Sequence, residues 1–434
     1  MSPMPQLSKW RLAGMSALWL AFNAQWLTLG PIAVPQAVAN MSDQYRELWS
    51  GLAVGAGAAV AVVVPPVAGA LSDRTRNRRG RRRPYLVSGV LATSLTLLLF
   101  AWALSVSVIA VVAVYLIVQF CWNWAAGPYA GLIPDVVGKK QRAEASGWLN
   151  VMTISGTAIG LIAANLFYRR SDPWPMTAVW IGLSVICLIV TLRSVVEPVS
   201  KDVPPWLGLR RFVRSFYLPF ANNRAFYWVL ITRLFNNFGV WSVFTFLVLY
   251  LQFVVGMSEV QANRMTTALL GVGAVLGVVG SLAAPMLTRR YGPVGVVRRA
   301  SWVMALAVIC YVVIAAAPHV WLVVPVVVVY GLAFGVYGAA DWALALWVLP
   351  HGRDAGKDFG IWHICLVLPQ VLGPITTGVL ITLIRIIASE RVAYGVAFAI
   401  AGVWFIAGAW FVTRIRLDED DSSASGDAGP VGLI

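Results

Sequence analysis

Residues 69–85 read GALSDRTRNRRGRRRPY and lie between two long apolar stretches. This loop contains seven arginines and a single acid, Asp73. Apolar runs of membrane length on both sides of a short basic loop indicate two spanning helices, and such loops stay on the cytoplasmic side. The loop therefore predicts an integral membrane protein and the orientation of its second and third spans.

The composition indicates that lipid is the main solvent of this chain. Of its 434 residues, 59% are apolar and 12% are charged, whereas a soluble domain carries about 25% charged residues. The net charge of +15 lies mostly in short loops, which favours a membrane protein over a nucleic-acid-binding one. The four cysteines and three histidines show no metal-ligand spacing, so we expect neither a metal nor a cofactor.

Hydropathy predicts twelve spanning helices, because each span needs about 20 apolar residues and lipid permits only helices at this length. The approximate ranges are 12–35, 49–71, 85–106, 108–134, 147–168, 176–196, 226–253, 263–285, 300–317, 319–349, 361–385 and 393–413. The first range exceeds the apolar part of a signal peptide, about 7–15 residues, and is interpreted as a retained span.

The distribution of positive charge predicts that both termini lie in the cytoplasm. With that orientation, the tails and the loops on the same side hold the great majority of the 33 basic residues. Arg233 and Arg385 fall within predicted spans, and the external loops hold a small set: Arg46, Arg169, Arg170, Arg264 and Arg391. This asymmetry follows the positive-inside rule and indicates a multi-pass protein of the cytoplasmic membrane.

The chain divides into two predicted six-helix bundles, residues 1–196 and 226–414. The linker between them, residues 197–225, mixes arginines with aromatic residues, which suits an amphipathic segment on the membrane surface. Residues 415–434 are acidic and small, and we expect this tail to be disordered.

The two halves repeat short features of each other. Gly51 and Gly55 of the second span have the same four-residue spacing as Gly273 and Gly277 of the eighth, which allows close helix packing. The arginine loop has a reduced counterpart in residues 287–292. Paired halves predict an all-α membrane fold of two pseudo-symmetric bundles, the design of alternating-access carriers.

The arginine loop resembles the signature between the second and third helices of major facilitator transporters. Its ending RGRRRP (79–84) and the sequence YAGLIPD (129–135) are most similar to the sugar-transporting branches, the glycoside–pentoside–hexuronide symporters and sucrose transporters. The resemblance implies that the loop acid and arginines latch the two halves together when the carrier faces outward. The residues that it assigns to this latch or gate are Asp73, Arg74, Arg78, Arg82, Asp135 and Arg142.

Two of these assignments leave alternatives open. The partner of Asp73 could be any one of Arg74, Arg78 and Arg82. Asp135 is either a gating charge or a solvated helix-end charge that faces nearby basic residues.

The chain departs from the sodium-coupled members that resemble melibiose permease. Those members carry two acids one turn apart in the second helix, where this chain has Ala61 and Pro65. Neither side chain binds a cation, so the resemblance implies that this sodium site is absent.

Arg233 is a charge inside the seventh span and needs a partner or water there. It lies about seven residues into the span, roughly 10 Å deep at about 1.5 Å per residue. Asp341 lies nine residues before Pro350 and therefore at a similar depth in the tenth span. We predict a pair that forms and breaks during transport and couples it to protons. A permanent structural ion pair, uniport and exchange remain open as alternatives.

The resemblance implies that the first, fourth, seventh and tenth helices line the substrate cavity. Amides there offer donors and acceptors to hydroxyl groups, and aromatic faces cover a sugar ring. The alternative is that the aromatic residues mark the lipid interface. The substrate-binding candidates are Asn23, Gln25, Trp26, Gln119, Asn123, Trp124, Asn236, Asn237, Trp241 and Tyr337.

The sequence shows no catalytic cluster and no phosphate-binding loop, so neither an enzyme nor an ATP-driven pump is predicted. The predicted function is secondary transport of a sugar or similar hydroxylated solute by a monomer in the bilayer. An exporter of amphipathic or drug-like compounds by proton antiport is the alternative, and a membrane scaffold or sensor is a third class. The solute, the direction of transport and the coupling ion stay open.

Overall fold

The computed structural model describes most of the helical part of the chain. The described residues are 6–29, 33–34, 46–78, 80–167, 172–195, 197, 210, 220, 223–349 and 355–415. Nearly all of the predicted amphipathic linker segment and residues 416–434 of the predicted disordered tail lie outside them.

Long helices dominate the described residues. In the first half they are α1 (Lys9–Thr28), α2 (Arg46–Asp73), α3 (Arg83–Ala103), α4 (Val108–Ala130), α5 (Arg142–Phe167) and α6 (Trp174–Ser194). In the second half they are α7 (Arg224–Phe253), α8 (Glu259–Ala316), α9 (Val320–Val348), α10 (Ala355–Ile387) and α11 (Glu390–Phe411). A short helix, Leu132–Val136, follows α4.

The described helices correspond to the twelve predicted spans. Ten of these helices are long and apolar enough to cross a bilayer, and α1, which is not one of the ten, corresponds to the first predicted span. The 58-residue α8 is far longer than a hydrocarbon core of about 30 Å requires. It bends at Gly292, whose φ of 69° favours glycine, and therefore supplies the predicted eighth and ninth spans.

Several helices begin where a serine side chain satisfies the first free backbone N–H groups. Ser8, Ser107 and Ser389 cap α1, α4 and α11 in this way. Ser258 forms a reciprocal capping box with Gln261 at the start of α8.

The two halves contact each other at the end of the bundle where the arginine loop lies. Across the interface, α2 and α4 pack on α10, and α5 packs on α8 and α9. Gly69 lies against the backbone of Gly356, and Gly360 lies against Pro66, with no space for a side chain at either glycine. The structure is therefore closed at the arginine-loop end.

Candidate functional site

Asp73, the last residue of α2, holds the beginning of α10 in the other half. Its carboxylate oxygens accept hydrogen bonds from the backbone N–H groups of Gly356 and Lys357, both at 3.2 Å. A carboxylate at a helix N-terminus satisfies free N–H groups and interacts favourably with the helix dipole. The described part of α10 begins at Ala355, several residues before the predicted eleventh span.

Arg82, which directly precedes α3, connects α2 to the short helix Leu132–Val136. Its guanidinium lies 2.6 Å from an Asp73 oxygen and 2.9 Å from an Asp135 oxygen, and it also bonds to the Ser72 hydroxyl. The side chain is fully buried. Burial opposes the charge, but Asp73 and Asp135 outweigh this effect and raise the pKa of Arg82 above its ordinary value. Arg82 therefore stays charged and links both acids.

Asp135 faces the arginine loop. Arg81 binds it through two parallel hydrogen bonds of 3.0 Å and 2.5 Å, the geometry that favours arginine over lysine. Among the candidate partners of Asp73, the structure brings Arg82 to it. Arg74, which directly follows α2, donates to the Ala70 carbonyl of that helix at 3.0 Å, and Arg78 is exposed.

Glu197 fixes the start of α3 and was missed by sequence reasoning. Its carboxylate accepts hydrogen bonds from the backbone N–H groups of Arg82, at 2.8 Å, and Arg83, at 3.2 Å. Burial raises the pKa of Glu197, although the hydrogen bond from the Arg82 backbone opposes this shift. Gly80, with a φ of 107°, turns the chain beside Glu197, where a side chain would collide with the carboxylate.

Arg142 of the first half places a positive charge at the C-terminal end of a helix of the second half, whereas Asp73 places a negative charge at the start of one. From the first turn of α5, it donates a 2.6 Å hydrogen bond to the carbonyl of Leu346 near the C-terminal end of α9. A cation at a helix C-terminus interacts favourably with the free carbonyls. Asp73 and Arg142 thus each place a charge of the first half on a complementary helix end of the second.

A polar contact deeper in the interface joins α5 to α8 and α9. The Asn150 amide donates to the Ser281 hydroxyl at 2.7 Å and to the Gly335 carbonyl at 3.1 Å. Asn150 and Ser281 are both buried. These bonds must break when the halves separate at this end.

Arg233 and Asp341 form a buried ion pair in the second half, between α7 and α9. Asp341 is fully buried, and Arg233 is 6% exposed. The Arg233 guanidinium also lies over the ring of Trp362 in α10, 3.4 Å from the ring centroid. This cation–π contact holds the charge between α9 and α10. The geometry brings the two residues together, and their role in coupling stays a prediction.

A chain of aromatic rings leads from the first half to this pair. Trp19 of α1 stacks on Tyr129 with centroids 5.6 Å apart and meets Trp342 of α9 edge-on at 5.7 Å. Trp342 contacts Trp362 at 4.3 Å. The rings border a narrow cleft between the halves, which is lined by Trp19, Pro65, Ala126, Gly127, Ala130, Trp342, Phe359, Gly360, Trp362 and His363.

None of the ten predicted substrate-binding residues is among the described residues that line this cleft. Trp26 and Trp241 meet across the two halves with centroids 5.5 Å apart. Tyr337 lies one helical turn before Asp341, and its buried hydroxyl has no hydrogen-bond partner among the described residues.

The predicted amides mostly bond within their own helices. The Asn23, Asn123 and Asn237 side chains each donate to the carbonyl four residues earlier, at 2.7–2.8 Å. Gln119 is buried on α4, one turn before Asn123. The side-chain oxygen and the second N–H of each asparagine amide are the groups that a ligand could bind.

Three predicted substrate-binding residues lie away from the cleft. Gln25 donates to the Trp180 carbonyl and the Ser184 hydroxyl of α6. Trp124 stacks on the half-exposed Phe120. Asn236 packs against Gly408 of α11. Each therefore faces its own half or lipid, and we do not assign these three to the substrate.

Sequence reasoning also missed Trp19 and Trp362. Trp19 lies four residues before Asn23 and so shares a helix face with a predicted cavity residue, which was a usable signal. Trp362 lies on α10, a helix outside the set that the resemblance assigned to the cavity. Asn150 carried no signal beyond a polar amide in an apolar helix.

The fold and these contacts define a multi-pass membrane carrier with two helical halves. The Major Facilitator Superfamily model matches residues 12–355, and the chain belongs to that family. Its fold is the twelve-helix, two-bundle fold of the family, and the protein is a transporter and not an enzyme. The bundle limits drawn from the sequence stay predictions.

Two similar proteins have names that refer to different solutes. The chain is 27% identical to the general alpha-glucoside permease of Schizosaccharomyces pombe over 183 residues, which is 38% of this chain and 32% of the permease. This match thus spans about a third of that relative. The chain is 24% identical to the multidrug resistance protein MdtG of Serratia proteamaculans over 365 residues, 79% of each chain.

A solved structure supports the fold. The proton:xylose symporter XylE, bound to 6-bromo-6-deoxy-D-glucose, superposes with a TM-score of 0.69 at 16% identity. The superposition covers 96% of this chain and 98% of XylE.

Proposed function

We propose that this chain is a secondary carrier that moves a sugar or glycoside across the cytoplasmic membrane by alternating access, coupled to protons. The observation that carries the proposal is the aromatic cleft between the halves, where the lining residue Trp362 packs on Arg233 of the buried Arg233–Asp341 pair. Aromatic faces suit the apolar faces of a sugar ring, and the pair provides a group that can take up a proton.

The contacts at the arginine-loop end support a gating role for the latch residues. Asp73 and Arg142 bind helix ends that belong to the other half. These bonds hold the arginine-loop end closed, and they must break before a solute can leave there. The carrier works as a monomer, because the cleft lies between two halves of one chain.

Export of amphipathic compounds by proton antiport is the second candidate. Its support is the similarity to MdtG, which covers more of the chain than the similarity to the glucoside permease. The many aromatic side chains around the cleft also suit a flat apolar solute.

Transport in proteoliposomes separates the two candidates. We expect a pH gradient to drive accumulation of at least one mono- or disaccharide and to leave lipophilic cations unmoved. The same vesicles without protein are the control. Accumulation of a lipophilic cation against the opposite gradient, with no sugar transported, would instead establish the exporter.

The orientation is tested by labelling single cysteines after the native thiols are blocked. Arg76 lies in the arginine loop and Ser105 lies in the turn between α3 and α4, and both are exposed. We expect a membrane-impermeant maleimide to label Ser105→Cys in intact cells and Arg76→Cys only after permeabilisation. The reverse pattern would show that the proposed topology is inverted.

A further inference from the structure

The bend of α8 carries a cluster of four arginines outside the transport cleft. Arg289 and Arg290 precede the bend at Gly292, and Arg298 and Arg299 follow it. All four side chains, called here the bend arginines, are exposed. A concentration of positive charge on one surface indicates an anionic partner.

Contacts with α5 place this bend at the same end of the molecule as the arginine loop. The two helices run antiparallel, because Asn150 bonds to Ser281 while Gly147, nearly one turn earlier in α5, lies against Pro285, one turn later in α8. The start of α5, at Arg142, closely follows the acid that binds the arginine loop. Since α8 continues from Pro285 to the bend, the bend arginines lie at that end, which the charge distribution predicts to be cytoplasmic.

The ring of Tyr291 brings the two pairs of bend arginines together. The guanidinium carbon of Arg290 lies 5.2 Å from the ring centroid, and that of Arg299 lies 4.1 Å from it. The ring is 40% exposed, and Arg299 also donates to the Gly295 carbonyl at 3.4 Å. Each cation is attracted to the ring, but two like charges beside one ring repel each other. An anion that binds between them would remove this repulsion.

The bend arginines pair with no carboxylate in the described part of the chain. The arginine loop differs in this respect, because Arg81 and Arg82 both bind Asp135. Near the opposite end of the molecule, Arg385 binds Glu390 at 2.6 Å. The guanidinium groups at the bend are therefore available to an anion from outside the described chain.

Exposed apolar side chains lead away from the bend arginines along both arms of α8. Leu282 and Met286 precede Arg290 at successive four-residue steps, and Trp302 and Leu306 follow the second arginine pair in the same way. Residues at this spacing share one face of a helix. An exposed apolar row on a spanning helix contacts acyl chains, and tryptophan favours the headgroup level. The arginines thus lie where the headgroups of those lipids would be.

We propose that the bend of α8 binds an anionic phospholipid from the leaflet at the arginine-loop end. The phosphate of the headgroup lies among the four guanidinium groups, and the acyl chains lie along the exposed apolar rows. Guanidinium binds phosphate through paired hydrogen bonds, and basic groups at the ends of spanning helices recognise anionic headgroups. The bend arginines do not line the cleft, so the proposal holds whichever solute the carrier moves.

A lipid titration of the purified full chain in detergent, followed by native mass spectrometry, tests the site. Phosphatidylglycerol and phosphatidylcholine with identical acyl chains both contain a phosphate, but phosphatidylcholine has no net charge. We expect the first phosphatidylglycerol to bind at least about tenfold more tightly than phosphatidylcholine, and the preference to decrease as the salt concentration rises. Equal affinity for the two lipids, or a preference that salt does not change, would overturn the proposal.

Paired variants assign the preference to the bend. Arg298→Gln/Arg299→Gln removes two of the four charges and should lower the affinity for phosphatidylglycerol by about tenfold, with the affinity for phosphatidylcholine kept within about twofold. Arg76→Gln/Lys140→Gln is the matched control, because it removes two exposed charges from the same end of the molecule and should keep the preference. Equal losses in the two double variants would show that net charge alone attracts the lipid, and the site would be refuted.

Two further measurements exclude other anions. Glycerol phosphate supplies a phosphate without acyl chains, and it should not displace phosphatidylglycerol at equal concentration; displacement would indicate a site for soluble anions and overturn the lipid assignment. Residues 418–421 read DEDD and could compete from the same chain. Asp418→Asn, Glu419→Gln, Asp420→Asn and Asp421→Asn together should change the affinity for phosphatidylglycerol by less than about twofold. A preference that exists only in this neutralised chain would show that the acidic segment occupies the bend instead.

Discussion

Replacing Asp73 with asparagine should lower the initial rate of transport by about tenfold or more while the protein still folds and inserts. The carboxylate neutralises the buried Arg82, which the amide cannot do, and it accepts one hydrogen bond on each oxygen from the N–H groups at the start of α10, whereas the amide has one acceptor oxygen. Removing one partner of a buried ion pair typically costs about 3–5 kcal/mol. That amount is enough to change the equilibrium constant between the conformer closed at the arginine-loop end and the conformer open there by about a hundredfold or more.

The Asp73→Asn variant should also open the arginine-loop end. A single cysteine in place of Ala130, a buried residue that lines the cleft, should react with a small thiol reagent faster in the variant than in the parent chain. Glu390→Gln is the matched control, because it removes a partly exposed ion pair of 2.6 Å to Arg385, and the loss of such a pair costs little stability. Unchanged reactivity at position 130, together with transport within about twofold of the parent, would contradict the latch.

The twelve crossings could be predicted because they depend on length and apolarity alone. The predicted spans correspond to α1–α11 once α8 is divided at Gly292. The depth of Arg233 and Asp341 could be predicted for the same reason: each turn of a helix advances a fixed distance along the membrane normal. Counting residues therefore placed both charges at one level, and the structure has them in contact.

The direction in which each helix faces was harder to predict. Gln25 and Asn236 are polar residues in apolar helices, and both bond or pack within their own half. A helix that contacts lipid on one side and apolar neighbours on the other has no strong polar face, so periodicity does not show which side meets the cleft. The partner of Asp73 could not be chosen either, because it depends on how the loop turns at Gly80 and on Glu197, which is distant in sequence.

Asp341→Asn should abolish accumulation driven by a pH gradient and keep exchange of solute across the membrane. Net proton-coupled transport requires a group that gains and loses a proton in each cycle, and the asparagine amide does neither at physiological pH. Exchange requires only that the loaded carrier changes its orientation. Since asparagine has nearly the size of aspartate, the shape of the packing around Arg233, Tyr337 and Trp362 should be preserved, while the loss of the counter-ion of Arg233 should lower the free energy of unfolding by about 3–5 kcal/mol.

The two activities are measured in one preparation of proteoliposomes, as uptake under an imposed pH gradient and as counterflow of labelled solute without a gradient. Asp172→Asn, at an exposed acid next to α6, is the matched control and should retain both. Loss of both activities in Asp341→Asn, in protein that is folded by thermal unfolding, would indicate that the pair with Arg233 is a permanent structural ion pair. Persistence of uphill accumulation would show that the coupling proton binds elsewhere. Loss of accumulation with counterflow retained would place proton coupling at Asp341. In that case the two halves still move with bound solute, while the pH gradient no longer drives the transport.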